Sequence, residues 1–175
     1  MSAVDKEAFE KAGEKHWAQW IDNDAVEEVT GSDIASLWKK LKAEDKEDCV
    51  MKLRWVLTDK AASLRTVDAP LPVEASARLV LPGYKDRANL EGSLRRDAPT
   101  GSRLAQHVLF SWAASNPDWH LISADVRAAF LKGDPYMNRE LYVVPPAAGP
   151  RVKGWRDSSI FKVLKGVFGL ADAPR

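Results

Sequence analysis

Asp125 is the first residue whose type and position suggest chemistry. It ends the run WHLISAD, in which Trp119, Leu121, Ser123 and Asp125 alternate with His120, Ile122, Ala124 and Val126. That period of two predicts a strand buried largely on both faces. A carboxylate at the end of such a strand is costly to hold unless a metal, a cation or hydrogen bonds compensate it. A metal ligand is therefore one reading. The other is an N-cap for a short following helix, a position where Asp is favoured. On this stretch alone the two readings are level. The remaining groups exclude other chemistries. Cys49 is the only cysteine, so there is no internal disulfide and no cysteine-based zinc site. His16, His107 and His120 share no ligand spacing and read as surface or packed histidines.

Several elements must position such a residue. From Ala3 to about Asp22, Phe9, Ala12, His16, Trp17 and Trp20 approximate one helical stripe. Gly31 interrupts, and Ser32 or Asp33 can cap a second helix carrying Ile34, Leu37, Trp38 and Leu41. These thin apolar faces suggest a helical accessory segment over residues 1–49. From Val50 the pattern changes. Met51, Leu53, Trp55 and Leu57 alternate with Lys52, Arg54, Val56 and Thr58, which predicts a strand, and ASARLVL (75–81) predicts a second. Together they form a hairpin or meander carrying Lys52, Arg54, Lys60, Arg65 and Arg78. Pro99, Thr100 or Ser102 can start a helix that buries Leu104, Val108, Leu109, Trp112 and Ala113. After the Asp125 strand, short strands are expected at 140–144 and 159–164, and Phe168, Leu170 and Ala173 look like the start of a further element. The order of elements points to an α+β fold.

Length and charge set the bounds. The 175 residues suit one domain, or one domain with an appendage, and 45% hydrophobic residues are enough for a core. No stretch reaches the roughly 18 apolar residues of a membrane span, so no membrane partner is expected. The first residues carry no secretory pattern, and an intracellular setting is expected. The net charge of +1 hides an asymmetry: residues 1–49 hold 7 basic and 13 acidic residues, and residues 50–175 hold 19 and 12. A basic body favours a polyanion through counterion release, although ordinary solvated faces account for the excess equally well.

Six stretches, in order, resemble the reverse transcriptase domain of copia-like retrotransposon polyproteins. They are MKLRWVLTDK (51–60), ARLVLPGYKD (77–86), APTGSRLAQHVLFSWAA (98–114), SADVRAAFLKG (123–133), ELYVVPPAAG (140–149) and IFKVLKGVFGLADAPR (160–175). The likeness covers about residues 50–175. It implies a partial right-hand polymerase: residues 50–118 as fingers and 119–165 as the first half of the palm, after the helical segment 1–49. The implied activity is RNA-directed DNA polymerisation by two-metal nucleotidyl transfer with Mg²⁺ or Mn²⁺. The implied partners are an RNA or DNA template–primer, deoxynucleotides, and the rest of the polyprotein (remaining palm, thumb and RNase H).

The resemblance also implies roles. Asp125 falls at the family's first catalytic, metal-binding aspartate, with the Val126 carbonyl as a second ligand. Phe130 falls where an aromatic ring lies under the sugar and excludes a 2′-hydroxyl, and core packing is its other reading. Arg78 falls at a fingers arginine that contacts the triphosphate, a task suited to a guanidinium. Lys60 and Arg54 are weaker candidates for phosphate or template contacts, and Arg103 reads as structural. Three departures stand out. Phe168 replaces a tyrosine, Asp172 replaces a glutamine near the nucleotide, and no Asp-Asp pair occurs anywhere in the sequence. Isolated acids such as Asp134 and Asp157 have no motif around them. The expectation is therefore a fragment that is inactive by itself. A non-catalytic nucleic-acid-binding remnant and a generic α+β interaction module remain as alternatives.

Overall fold

The computed structural model describes residues 3–66, 68, 70–94 and 101–173. Helix α1 (Ala3–Asp22) forms on the expected stripe, with Phe9, His16, Trp17 and Trp20 buried. Strand β1 (Val26–Val29) follows; its sequence, VEEV, carries too little pattern to announce a strand. Helix α2 (Ser32–Ala43) buries Leu37 and Leu41. Its N-cap is Gly31 at φ 57°, not Ser32 or Asp33, which lie inside the first turn. Asp33 there still complements the helix dipole.

The expected strand over residues 51–58 divides at Leu53 into β2 (Val50–Lys52) and β3 (Arg54–Asp59). These two pieces join different sheets. β4 (Ala75–Val80) pairs antiparallel with β3, with Trp55 opposite Leu79, as the hairpin reading expected. A single turn, α3 (Arg87–Leu90), is capped by the Asp86 side chain, which accepts from the Ala88 N–H. Helix α4 (Arg103–Ala114) starts at Ser102, whose Oγ accepts from the Ala105 N–H at 3.1 Å. β5 (Tyr142–Val144) and β6 (Ile160–Val163) complete the larger sheet, ordered β1-β6-β5-β2. β2 and β5 run parallel, and the other pairs are antiparallel.

The main core lies between this sheet, α1 and the β3–β4 hairpin. Trp17 meets Phe161 edge-on at 4.9 Å and Trp155 at 5.0 Å. Trp20, Leu79, Val143, Val163 and Val167 are fully enclosed. The core thus runs across the composition change at Val50. The expected C-terminal element is instead a series of turns that bury Val167, Leu170 and Ala173. They are tied to β4's exit by Leu81 N–H to Phe168 O (2.8 Å) and Gly83 N–H to Gly169 O (3.2 Å). Gly169 has φ 96°, and a Cβ there would stand 2.1 Å from the Leu81 carbonyl oxygen. Only glycine permits both the dihedral and the approach.

Two expectations fail in the same region. Residues 119–126 form no strand, and Trp119, Leu121, Ile122 and Val126 are exposed. A strand is defined by a hydrogen-bonded neighbour, and none of the six strands among the described residues pairs with this segment. On α4, Ala113 is buried but Leu104, Val108, Leu109 and Trp112 are exposed. The Ser102 cap and local hydrogen bonds set where the helix starts, and no layer among the described residues covers these four side chains. Its one aromatic contact with the following segment is Trp112 to Trp119, 5.8 Å between ring centres.

Candidate functional site

Five of the six candidate residues line one cleft of about 550 Å³: Lys60, Arg78, Asp125, Val126 and Phe130. This volume is in the range of small-molecule sites, roughly 300–1,000 Å³. Arg54, at the start of β3, lies outside it. Arg78 is placed by the alternation of β4, which buries Ala77 and Leu79 and leaves Arg78 exposed between them. Lys60 follows the end of β3 and stands 3.7 Å from the exposed Glu74 carboxylate. A surface pair of this kind contributes little and leaves the ammonium available.

Asp125 and Phe130 are set by the turn between them. Ala128 adopts a left-handed conformation, φ 54°, at a cost of roughly 1–2 kcal/mol for a non-glycine residue. The 3-10 turn Ala129–Leu131 follows, with Ala128 and not Asp125 at its N-cap. The capping reading of Asp125 is therefore not the one the chain adopts. Asp125 is exposed and, among the described residues, makes no ion pair or side-chain hydrogen bond. Phe130 is 38% exposed, and its ring meets Phe168 edge-to-face at 5.4 Å. Phe168, at the position where the family motif has tyrosine, also lines the cleft and lies 5.0 Å from the His16 ring.

The remaining wall was not foreseen. It comes from α1, through Ala12, Lys15, His16 and Gln19. These positions share one helical face. His16 Nδ1 accepts the Leu79 N–H at 3.2 Å, so α1 is hydrogen-bonded to β4. Burial, with the nearby Arg78 charge second, pushes the His16 pKa down to about 4. The imidazole is thus neutral near pH 7, as its acceptor role requires. The only sequence signal was a histidine set within an otherwise apolar stripe.

Asp172, at the family's glutamine position, does not line this cleft. It is half-buried and paired with Arg139, which also pairs with the buried Asp86. The guanidinium stacks over the Tyr136 ring at 4.7 Å. Burial, opposed by Arg139, raises the Asp86 pKa, and burial raises that of Tyr136. The acid that would have repelled phosphate is therefore neutralised elsewhere, where it joins three separate loops.

Among the described residues, no group of three or more His, Cys, Asp or Glu side chains could hold an ion. Asp125 alone does not fit a two-metal centre.

A family profile described as reverse transcriptase (RNA-dependent DNA polymerase) matches residues 36–175. The chain belongs to that family. Membership implies a nucleic-acid template, nucleotide substrates and, for the family's reaction, divalent metals. No curated protein and no solved structure matches the chain.

Proposed function

We propose that the chain is a fragment of a copia-like reverse transcriptase and that its cleft is the nucleotide-binding face of the fingers and partial palm. One observation carries this reading. Residues drawn from three separate motifs, Lys60, Arg78 and the Asp125–Phe130 segment, converge on a single cleft of nucleotide size. Arg78 and Lys60 would hold the triphosphate, to which a guanidinium and an ammonium are suited. Phe130 would lie against the sugar, where a 2′-hydroxyl meets the ring. Asp125 would be one carboxylate of a larger metal-binding set, with the Val126 carbonyl beside it. The proposed partners are a primer–template and deoxynucleotides.

The test is equilibrium binding of dATP and ATP to the 175-residue chain. Tighter binding of dATP is expected. Phe130→Ala should narrow that preference, and Arg78→Ala should weaken both nucleotides about tenfold, the scale of one lost charge-assisted contact. Equal affinity for dATP and ATP in the unaltered protein, or no effect of Arg78→Ala, would count against the reading. In primer extension on an RNA template, the chain alone is expected to add no nucleotide. Extension abolished by Asp125→Ala would refute that expectation.

A further inference from the structure

We propose that α1 supplies a phosphate-binding residue to the cleft, with Lys15 and Arg78 together gripping the polyphosphate tail of a nucleoside triphosphate. The inference rests on the nucleotide-site reading and extends it to a helix that lies outside residues 36–175, the part matched by the family profile.

The rotation of α1 about its axis is fixed at several points. Trp17 and Trp20 are sealed in the main core. Gly13 faces Pro150, where a Cβ would come within 2.8 Å of the proline side chain. His16 is held by the Leu79 N–H on the strand that carries Arg78. With those positions turned inward, Lys15 and Gln19 are carried to the mouth of the cleft, Lys15 exposed and Gln19 half-buried. A helix held by a tryptophan pair and a buried histidine presents Lys15 from a rigid base, which lowers the entropy cost of using it.

Charge points to the kind of ligand. Lys15, Lys60 and Arg78 bring three cations to the cleft, and among the described residues Asp125 is the only acid on its wall. His16 adds no charge near neutral pH. Among the described residues, Lys15 and Arg78 have no carboxylate within ion-pair distance, whereas Lys11, one turn earlier on α1, is paired with Glu7 at 2.7 Å. Unpaired cations around a concave surface concentrate the field and favour a multiply charged anion. Phe130, Phe168 and the alanines of the opposite wall leave an apolar area beside them, which suits a sugar and base. A nucleoside triphosphate has both parts.

The experiment measures binding of inorganic tripolyphosphate and of dATP to the 175-residue chain by calorimetry at low salt. Lys15→Ala is expected to weaken both ligands about three- to tenfold, as for one lost charge-assisted phosphate contact. Lys15→Arg should restore binding, and Lys11→Ala should leave it unchanged. Lys15 is exposed, so these variants should fold, and circular dichroism checks that they do. If Arg78→Ala weakens binding while Lys15→Ala does not, the role of Lys15 is overturned and the nucleotide site stands. If Lys15→Ala and Lys11→Ala weaken binding equally, the effect is general electrostatics, and the role of Lys15 is again overturned. If the unaltered chain binds neither ligand, the site reading and this inference both fall.

Discussion

Two regions of this protein both present apolar stripes in sequence and differ in how the structure covers them. The two sheets and α1 enclose most of their large side chains, Trp20 and Leu79 completely (each 0% exposed). The stretch from α4 through residue 126 leaves Trp112 62% and Ile122 89% exposed. Both carry apolar periodicity, helical in α4 and more loosely in α1, twofold in 51–57 and 119–126. Periodicity identifies a face fit to be covered, while coverage depends on a second element. α1 is hydrogen-bonded to β4, whereas the ring contact of α4 among the described residues is Trp112 with Trp119. The candidate cleft lies where the two regions join. Arg78 and His16 stand on the packed side, and Asp125 and Phe130 come from the uncovered one.

The largest expected effect falls on the packed side. Leu79→Ala should cost about 2–5 kcal/mol, because it opens a cavity under the hairpin and α1 where little can collapse to fill it. Chemical denaturation measures this; a loss below about 1 kcal/mol would mean the hairpin is not packed as described.

A smaller effect should appear with pH. The His16 pKa is depressed in the fold to about 4 from its ordinary 6.5. Above pH 6.5 the residue is neutral in both states and the fold keeps its full stability. As pH falls from 6.5 toward 4, the unfolded chain takes up the proton first, so stability declines by up to about 1.4 kcal/mol per pH unit, or roughly 3 kcal/mol in all. His16→Gln should flatten this part of the stability–pH curve. An unchanged slope in that variant would assign the decline to other groups.

The smallest effect belongs to the uncovered region. Trp112→Ala should change stability by no more than about 0.5 kcal/mol, despite removing the largest side chain type. A loss comparable to that of Leu79→Ala would erase the contrast between the two regions.

Much of the local structure was legible. The α1 stripe, the β3–β4 pairing and the Ser102 cap follow from spacing over a few residues, which local physics decides. β1 was not legible, because VEEV becomes a strand only against β6, far along the chain. Nor was the break at Leu53, whose N–H is taken by the Val144 carbonyl of a strand in the other sheet. In the cleft, Arg78, Asp125 and Phe130 could be picked out by motif. Lys15 and Gln19 could not, since a lysine or glutamine on a charged helix looks the same whether it faces solvent or a site.

The sequence by itself determined the family, the α+β class, and the cationic, acidic and aromatic residue types that the cleft draws on. It did so because motif order and short-range periodicity are properties of the linear chain. The tertiary structure alone decided that Asp125 ends no paired strand, that Asp172 turns to Arg139, and that α1 closes one side of the cleft. Each of these depends on which groups meet across long separations, and a buried charge, a strand edge or a helix face takes its meaning from the partner it finds.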